Sequence, residues 1–171
     1  MAQSREWRRI KPEHREIIER LQAAGSVPVG ALAKELGIRI KVANLGPGNS
    51  GQISRDSDGE GYIIKVNRFE AKERQRFTIA HEIAHFLLHK DIIDNSPDGI
   101  RDTVLYRSGA PENVEYEANR LAADILMPQA PVTNRLRELG GRVTEKAIEV
   151  LAEDFKVSKG AMEIRLQNVA V

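Results

Sequence analysis

Residues 78–89 read TIAHEIAHFLLH and hold three of the chain's four histidines. No Gly or Pro interrupts residues 69–95, so the stretch is free to form one helix. At about 100° per residue, Thr78, His81, Glu82, His85 and His89 share a wedge of roughly 100°, and apolar side chains cover most of the rest. A helix that apolar is buried, and polar groups inside a protein need partners there. His81 and His85, four apart, stack on one face. With Glu82 between them they spell H-E-x-x-H, a spacing that lets two imidazoles reach one zinc ion. Glu82 is rotated about 100° from His81, which suits a catalytic base beside the ion's open position rather than a ligand. His89 lies about 12 Å of helix rise beyond His81, too far to join zinc bonds of about 2.0–2.1 Å, so it is excluded as a ligand. It is expected to bond the helix C-terminus instead.

A catalytic zinc keeps three protein ligands and one open position, so a third donor is required. PENVEYEANRLAADILMP (111–128) reads as a second helix with two competing glutamates, Glu115 and Glu117. With Glu115 at zero, Ala118, Asn119, Ala122, Ile125 and Leu126 fall within about 80° of it, on the apolar face. Glu117 groups with Arg120 and Asp124 and reads as solvated, with Arg120–Asp124 an ordinary i,i+4 pair. A carboxylate on a buried face is costly unless paired or bound to metal, so Glu115 is the expected third ligand. Asn119, one turn on, is a candidate for orienting a ligand.

These residues also carry a resemblance. RQRFTIAHEIAHFLLH followed by EYEANRLAADILMP resembles the ImmA/IrrE family of bacterial and phage metallopeptidases. VPVGALAKELGIRIKV is similar to that family's entry helix and first strand, and SGQISRDSDGEGYIIKVN to its sheet. The resemblance spans roughly residues 26–169. It implies an α+β zincin-like fold, a small antiparallel or mixed sheet packed on the H-E-x-x-H helix and a second Glu-bearing helix. It also implies zinc (manganese being the alternative ion) on His81, His85 and Glu115, with Glu82 catalytic. The implied activity is cleavage of a helix-turn-helix transcriptional repressor, derepressing mobile-element or stress-response genes. Relatives with a sensory C-terminal domain run much longer, so none is expected here.

The chain has 171 residues, enough for one compact domain with a real core. We read 1–171 as a single peptidase domain: 1–25 an N-terminal helix, 26–128 the sheet and zinc-site helices, 129–171 a helical subdomain. Net charge is +1, which implies no strong nucleic-acid or membrane field. There is no cysteine, hence no disulfide and no thiolate metal site. No apolar run approaches about 20 residues, and the N-terminus lacks a signal-peptide core; a cytoplasmic chain with no membrane partner is expected.

Along the chain, 12–24 reads as an amphipathic helix with Ile17, Ile18 and Leu21 inward and His14 on the surface. Residues 28–36 read as a short helix closed by Gly37, leading into strand IRIKVANL. GQISR, the turn DSDGEG and YIIKVN read as a hairpin. Residues 91–113 lack periodicity and read as a long surface loop. Residues 143–169 read as helix, turn at 156–158, helix, with Val157 and Ser158 a staple and cap. This resembles a DNA-reading helix-turn-helix, but Lys159 and Arg165 are the second helix's only basic residues, with Glu163 between them. Packing, or gripping a protein substrate, fits better than direct nucleic-acid binding. Two function classes follow: a zinc endopeptidase, or a non-hydrolytic regulatory or DNA-binding partner with a structural metal. Tyr62, Tyr106 and Tyr116 are candidate oxyanion partners, and strand 61–66 could bind substrate backbone if it lies at a sheet edge.

Overall fold

The computed structural model describes residues 3–103 and 112–168. The expected N-terminal helix is two helices, α1 (Arg5–Arg9) and α2 (Pro12–Gln22). The Ser4 side chain caps α1 by accepting from the Trp7 N–H at 3.2 Å, and Pro12 at the first turn of α2 makes the break between them. Trp7, Ile10 and Ile18 are buried. His14 is half-buried rather than on the surface, its ring tilted against Phe86 with centroids 6.2 Å apart.

α3 (Val29–Glu35) ends at Gly37, whose φ of +76° closes the helix as expected. β1 (Ile38–Ala43), β2 (Asn49–Arg55) and β3 (Tyr62–Asn67) follow. The β2–β3 hairpin is antiparallel, with Ile53 directly opposite Ile64. Both are fully buried, the apolar cross-strand pairing that holds a register. β1 runs parallel to β3, bringing Ile40 level with Ile64.

α4 (Lys72–Leu88) is the H-E-x-x-H helix. The long loop expected next is only partly a loop. α5 (Lys90–Asp94) and β4 (Ile100–Thr103) occupy its first half, and residues 104–111 lie outside the described ones. β4 pairs antiparallel with β2, giving the sheet order β1-β3-β2-β4. Gly99 makes this possible: at φ +67°, a Cβ there would sit 1.8 Å from the Ile53 carbonyl oxygen. The sheet is therefore mixed, and β3 lies inside it rather than at an edge.

α6 (Glu112–Leu126) packs against α4, which also lies on β2 and β3. Ile79, Ala80, Ile83 and Ala84 of α4 share one apolar cluster with Ile53, Ile64 and Val66 of the sheet and with Ala118, Leu121, Ala122 and Ile125 of α6. Each fully buried Ile or Leu there contributes about 1.5–3 kcal/mol. α7 (Gln129–Glu138), α8 (Glu145–Phe155) and α9 (Lys159–Asn168) complete the described chain. The turn between α8 and α9 has Lys156 at φ +54°, Val157 buried, and Ser158 Oγ accepting from the Ala161 N–H at 3.1 Å, the expected staple and cap. Arg165 does not face outward. It donates to the Met127 carbonyl at 2.9 Å and pairs with Asp124 at 3.0 Å. Among the described residues, no helix is long and apolar enough to cross a membrane.

Candidate metal centre

The unbroken α4 and the Glu-bearing α6 cross so that three donors converge. His81 Nε2 and His85 Nε2 are 3.0 Å apart. Glu115 Oε2 is 3.1 Å from His81 Nε2, and Oε1 is 3.3 Å from His85 Nε2. All three side chains are buried, and their donor atoms lie within 4.8 Å of one another. Fully buried alanines flank the donors, Ala84 on α4 and Ala118 and Ala122 on α6, and small side chains let helices pack closely.

The donor set fits a metal. Bonds of about 2.0–2.1 Å at tetrahedral angles put ligand atoms about 3.3 Å apart, and the three contacts run from 3.0 to 3.3 Å. Burial alone would raise the Glu115 carboxyl's pKa, but the His81 and His85 imidazole edges facing it hold it well below the usual carboxylate range. The carboxylate is thus poised as an anion in a buried place, where it needs a cation or donors to offset lost hydration.

The opposite edges of the two imidazoles are also engaged. His81 Nδ1 meets Asn119 Oδ1 at 2.9 Å. An amide oxygen only accepts, so His81 carries its proton on Nδ1 and leaves the Nε2 lone pair for the cluster. His85 Nδ1 meets His89 Nδ1 at 3.0 Å. The His89 ring therefore turns back onto His85 instead of capping the helix end, where only its backbone N–H bonds, to the His85 carbonyl. Burial foremost, then the neighbouring His85 and Arg9, lower the His89 pKa to about 4.

Glu82 is fully buried and stands apart from the three-donor cluster. Its carboxylate turns toward β2: a Cβ added to Gly51 would lie 3.9 Å from Glu82 Oε1 and only 2.5 Å from Thr78 Cγ2. Glycine at 51 is what lets this part of α4 close on the sheet.

Two readings of α6 are corrected. Glu117 is not solvated; its side chain is 12% exposed and forms an ion pair with Arg9 of α1. Arg120 and Asp124 do not pair with each other. Arg120 reaches Glu6 at 2.7 Å, and the buried Asp124 takes Arg165 and the Ser4 hydroxyl. A helical wheel sees only one helix, and α1 and α9 cover the face that would otherwise be wet. Of the tyrosines, Tyr62 donates to Asp94 at 2.5 Å, with its pKa pushed up to about 12 by burial and that carboxylate. Tyr116 donates to Glu112 in its own helix at 2.9 Å. Tyr106 lies outside the described residues. The Nδ1 contact between His85 and His89 was not anticipated, although their i,i+4 spacing was the signal for it.

Residues 33–167 match the family described as the IrrE N-terminal-like domain. The chain belongs to that family. The matched span contains α4 and α6 with all three donors and Glu82, whereas α1 and α2 precede it. Among relatives, the radiation response metalloprotease IrrE of Deinococcus radiodurans is 38% identical over 102 residues, 59% of this chain and 29% of that protein. Its counterpart in Deinococcus deserti is 37% identical over 109 residues, 63% of this chain and 37% of that protein. The metallopeptidase ImmA of Bacillus subtilis is 24% identical over 136 residues, 77% of this chain and 70% of that protein. The match thus spans about a third of the length of the two Deinococcus proteins. A solved Mycobacterium tuberculosis transcriptional regulator shares the fold, with a TM-score of 0.57 and 17% identity over 92% of this chain and 47% of that one. An IrrE N-terminal-like domain accounts for the mixed sheet, α4 and α6 as one unit.

Proposed function

We propose that this chain is a zinc-dependent endopeptidase in which His81, His85 and Glu115 hold the ion and Glu82 is the general base. The substrate we assign is a helix-turn-helix transcriptional repressor, whose cleavage derepresses mobile-element or stress-response genes. One observation carries the peptidase reading: three buried donors converge while Glu82, adjacent to His81 on α4, stands outside their cluster. A closed structural zinc site takes four protein donors and has no use for such a carboxylate. Relatives named as a radiation response metalloprotease and a metallopeptidase support the activity; the repressor as substrate rests on the family resemblance. Two imidazoles with one carboxylate favour zinc, with manganese as the alternative ion.

When bound, the ion supplies a Lewis acid that brings the pKa of water toward about 7 and polarises the scissile carbonyl. The remaining work falls to this chain's residues. A Glu82 carboxylate oxygen accepts the proton of the attacking water as its oxygen bonds to the carbonyl carbon. Glu82 then delivers that proton to the amine nitrogen as the C–N bond breaks. Asn119 keeps His81 in the tautomer that leaves Nε2 bare. Extended substrate backbone adds only to an edge strand, which excludes β3. Of the two edges among the described residues, β1 and β4, we favour β4, which lies beside the strand that Glu82 faces.

The test is to incubate the full chain and Zn²⁺ with the repressor encoded beside its gene and look for fragments. Glu82→Gln should keep its fold and metal content while cleavage falls at least ~10²–10⁴-fold, the usual contribution of general acid–base catalysis. A Gln variant that relieves repression as well as the parent would show that the protein acts by binding.

A further inference from the structure

His85 has its two ring nitrogens committed in opposite directions, Nε2 to the donor cluster and Nδ1 to His89 Nδ1 at 3.0 Å. Two ring nitrogens that close share one proton. For Nε2 of His85 to offer a lone pair, its proton must sit on Nδ1, so His89 Nδ1 accepts. The proton of neutral His89 is then confined to Nε2. That atom faces Glu117 Oε2 at 3.9 Å, an electrostatic contact longer than a hydrogen bond. Glu117 is in turn gripped by Arg9 of α1. His85 and His89 are both buried, so little solvent competes for either ring.

We propose that His89 is a positioning residue that sets the tautomer and ring orientation of His85, with the Glu117–Arg9 pair of α6 and α1 as its outer support. The inference rests on the reading of His81, His85 and Glu115 as metal-holding residues, and it makes His89 the counterpart for His85 of what Asn119 is for His81. It also gives α1, which precedes the span matched by the family, a role at the site. A bare carboxylate beside His89 would be free to drift; Arg9 keeps it where the His89 Nε2–H points.

The experiment is a Zn²⁺ titration of the metal-free full chain against a competing chromophoric chelator. His89→Ala should bind Zn²⁺ about 10–100-fold more weakly, the usual cost of removing a group that orients a ligand. His89→Gln, whose amide oxygen can accept from His85 Nδ1–H, should recover most of that loss. Glu117→Gln retains an acceptor toward His89 and should stay close to wild type, whereas Glu117→Leu should not. His89→Ala also removes a buried side chain and should lower the metal-free thermal midpoint. The deciding comparison is therefore His89→Gln, whose metal-free midpoint should stay near wild type while its zinc affinity recovers. Ring nitrogen shifts of the zinc-loaded wild type give a reading that needs no variant: His89 should be the Nε2–H tautomer. An Nδ1–H tautomer for His89, or a His89→Ala protein that binds Zn²⁺ as tightly as wild type, would overturn the proposal. So would weakened binding that His89→Gln fails to rescue. A wild-type chain that binds no Zn²⁺ would overturn the metal reading itself, and this inference with it.

Discussion

At the residue scale, Glu115 shows how burial turns a common side chain into a specific one. Its carboxylate is 2% exposed and lies within 3.1 and 3.3 Å of two imidazole nitrogens. Replacing it with Gln keeps its size and removes its charge, so zinc loses its only anionic donor in the cluster. A ligand that binds only the folded state stabilises by RT ln(1 + [L]/Kd), about 2.7 kcal/mol at a hundredfold excess over Kd. The wild-type thermal midpoint should therefore climb with added Zn²⁺ and fall back on chelation. Glu115→Gln should show little of that climb in the same calorimetric titration. A climb equal to wild type would remove Glu115 from the ligand set.

At the element scale, α1 is a five-residue helix, too short to persist alone, and specific anchors hold it. Trp7 and Ile10 are buried in the core. Glu6 is fully buried and hydrogen-bonded by Arg120 at 2.7 Å and Arg5 at 2.9 Å. Burial alone would raise the Glu6 pKa, but the two guanidiniums lower it to about 2. A carboxyl with a depressed folded pKa contributes its stability above the unfolded value of about 4.3–4.5 and loses it as pH falls toward 2. The contribution is on the order of 3 kcal/mol at most. Acid titrations of stability should accordingly show a steeper loss between about pH 4.5 and 2 in wild type than in Glu6→Gln. Parallel acid curves for the two proteins would mean that Glu6 titrates normally. Because α1 also carries Arg9, acid loosening of this helix should reach Glu117 as well.

At the scale of the whole molecule, the C-terminal helices close the structure rather than present a basic face. Arg165 is spent on Met127 and Asp124, and Lys159 is paired with Glu145 and Glu149 at 3.4 and 3.2 Å. With a net charge of +1, its 26 Lys and Arg residues being offset by 25 Asp and Glu, the chain offers phosphates little net positive field, and counterion release is the main source of nucleic-acid affinity. The isolated protein should bind duplex DNA weakly and without sequence preference at physiological salt, as measured by fluorescence anisotropy. Tight, sequence-selective binding would instead promote the α8–α9 pair to a DNA reader.

What the sequence determined by itself is what local periodicity encodes. An uninterrupted apolar helix with His81, Glu82 and His85 in its polar wedge, the β2–β3 hairpin around its turn residues, and Gly37 as a helix stop all follow from spacings within one element. The choice of Glu115 over Glu117 for the face turned to α4 was legible too, because a buried face on α6 leaves few polar positions. Asn119 was legible as a polar residue on that face, but its partner His81 came only from the structure. Only the tertiary structure decided what covers the other faces. α1 and α9 claimed Glu117, Arg120 and Asp124, which a single-helix wheel assigns to water. β4, four residues long and without alternation, gained strand geometry only by pairing with β2, and that pairing left β3 in the middle of the sheet. His89 turned inward as well: its i,i+4 spacing from His85 permits the contact, but the ring's direction is fixed by the elements packed around it, and Glu117 of α6 lies on its far side.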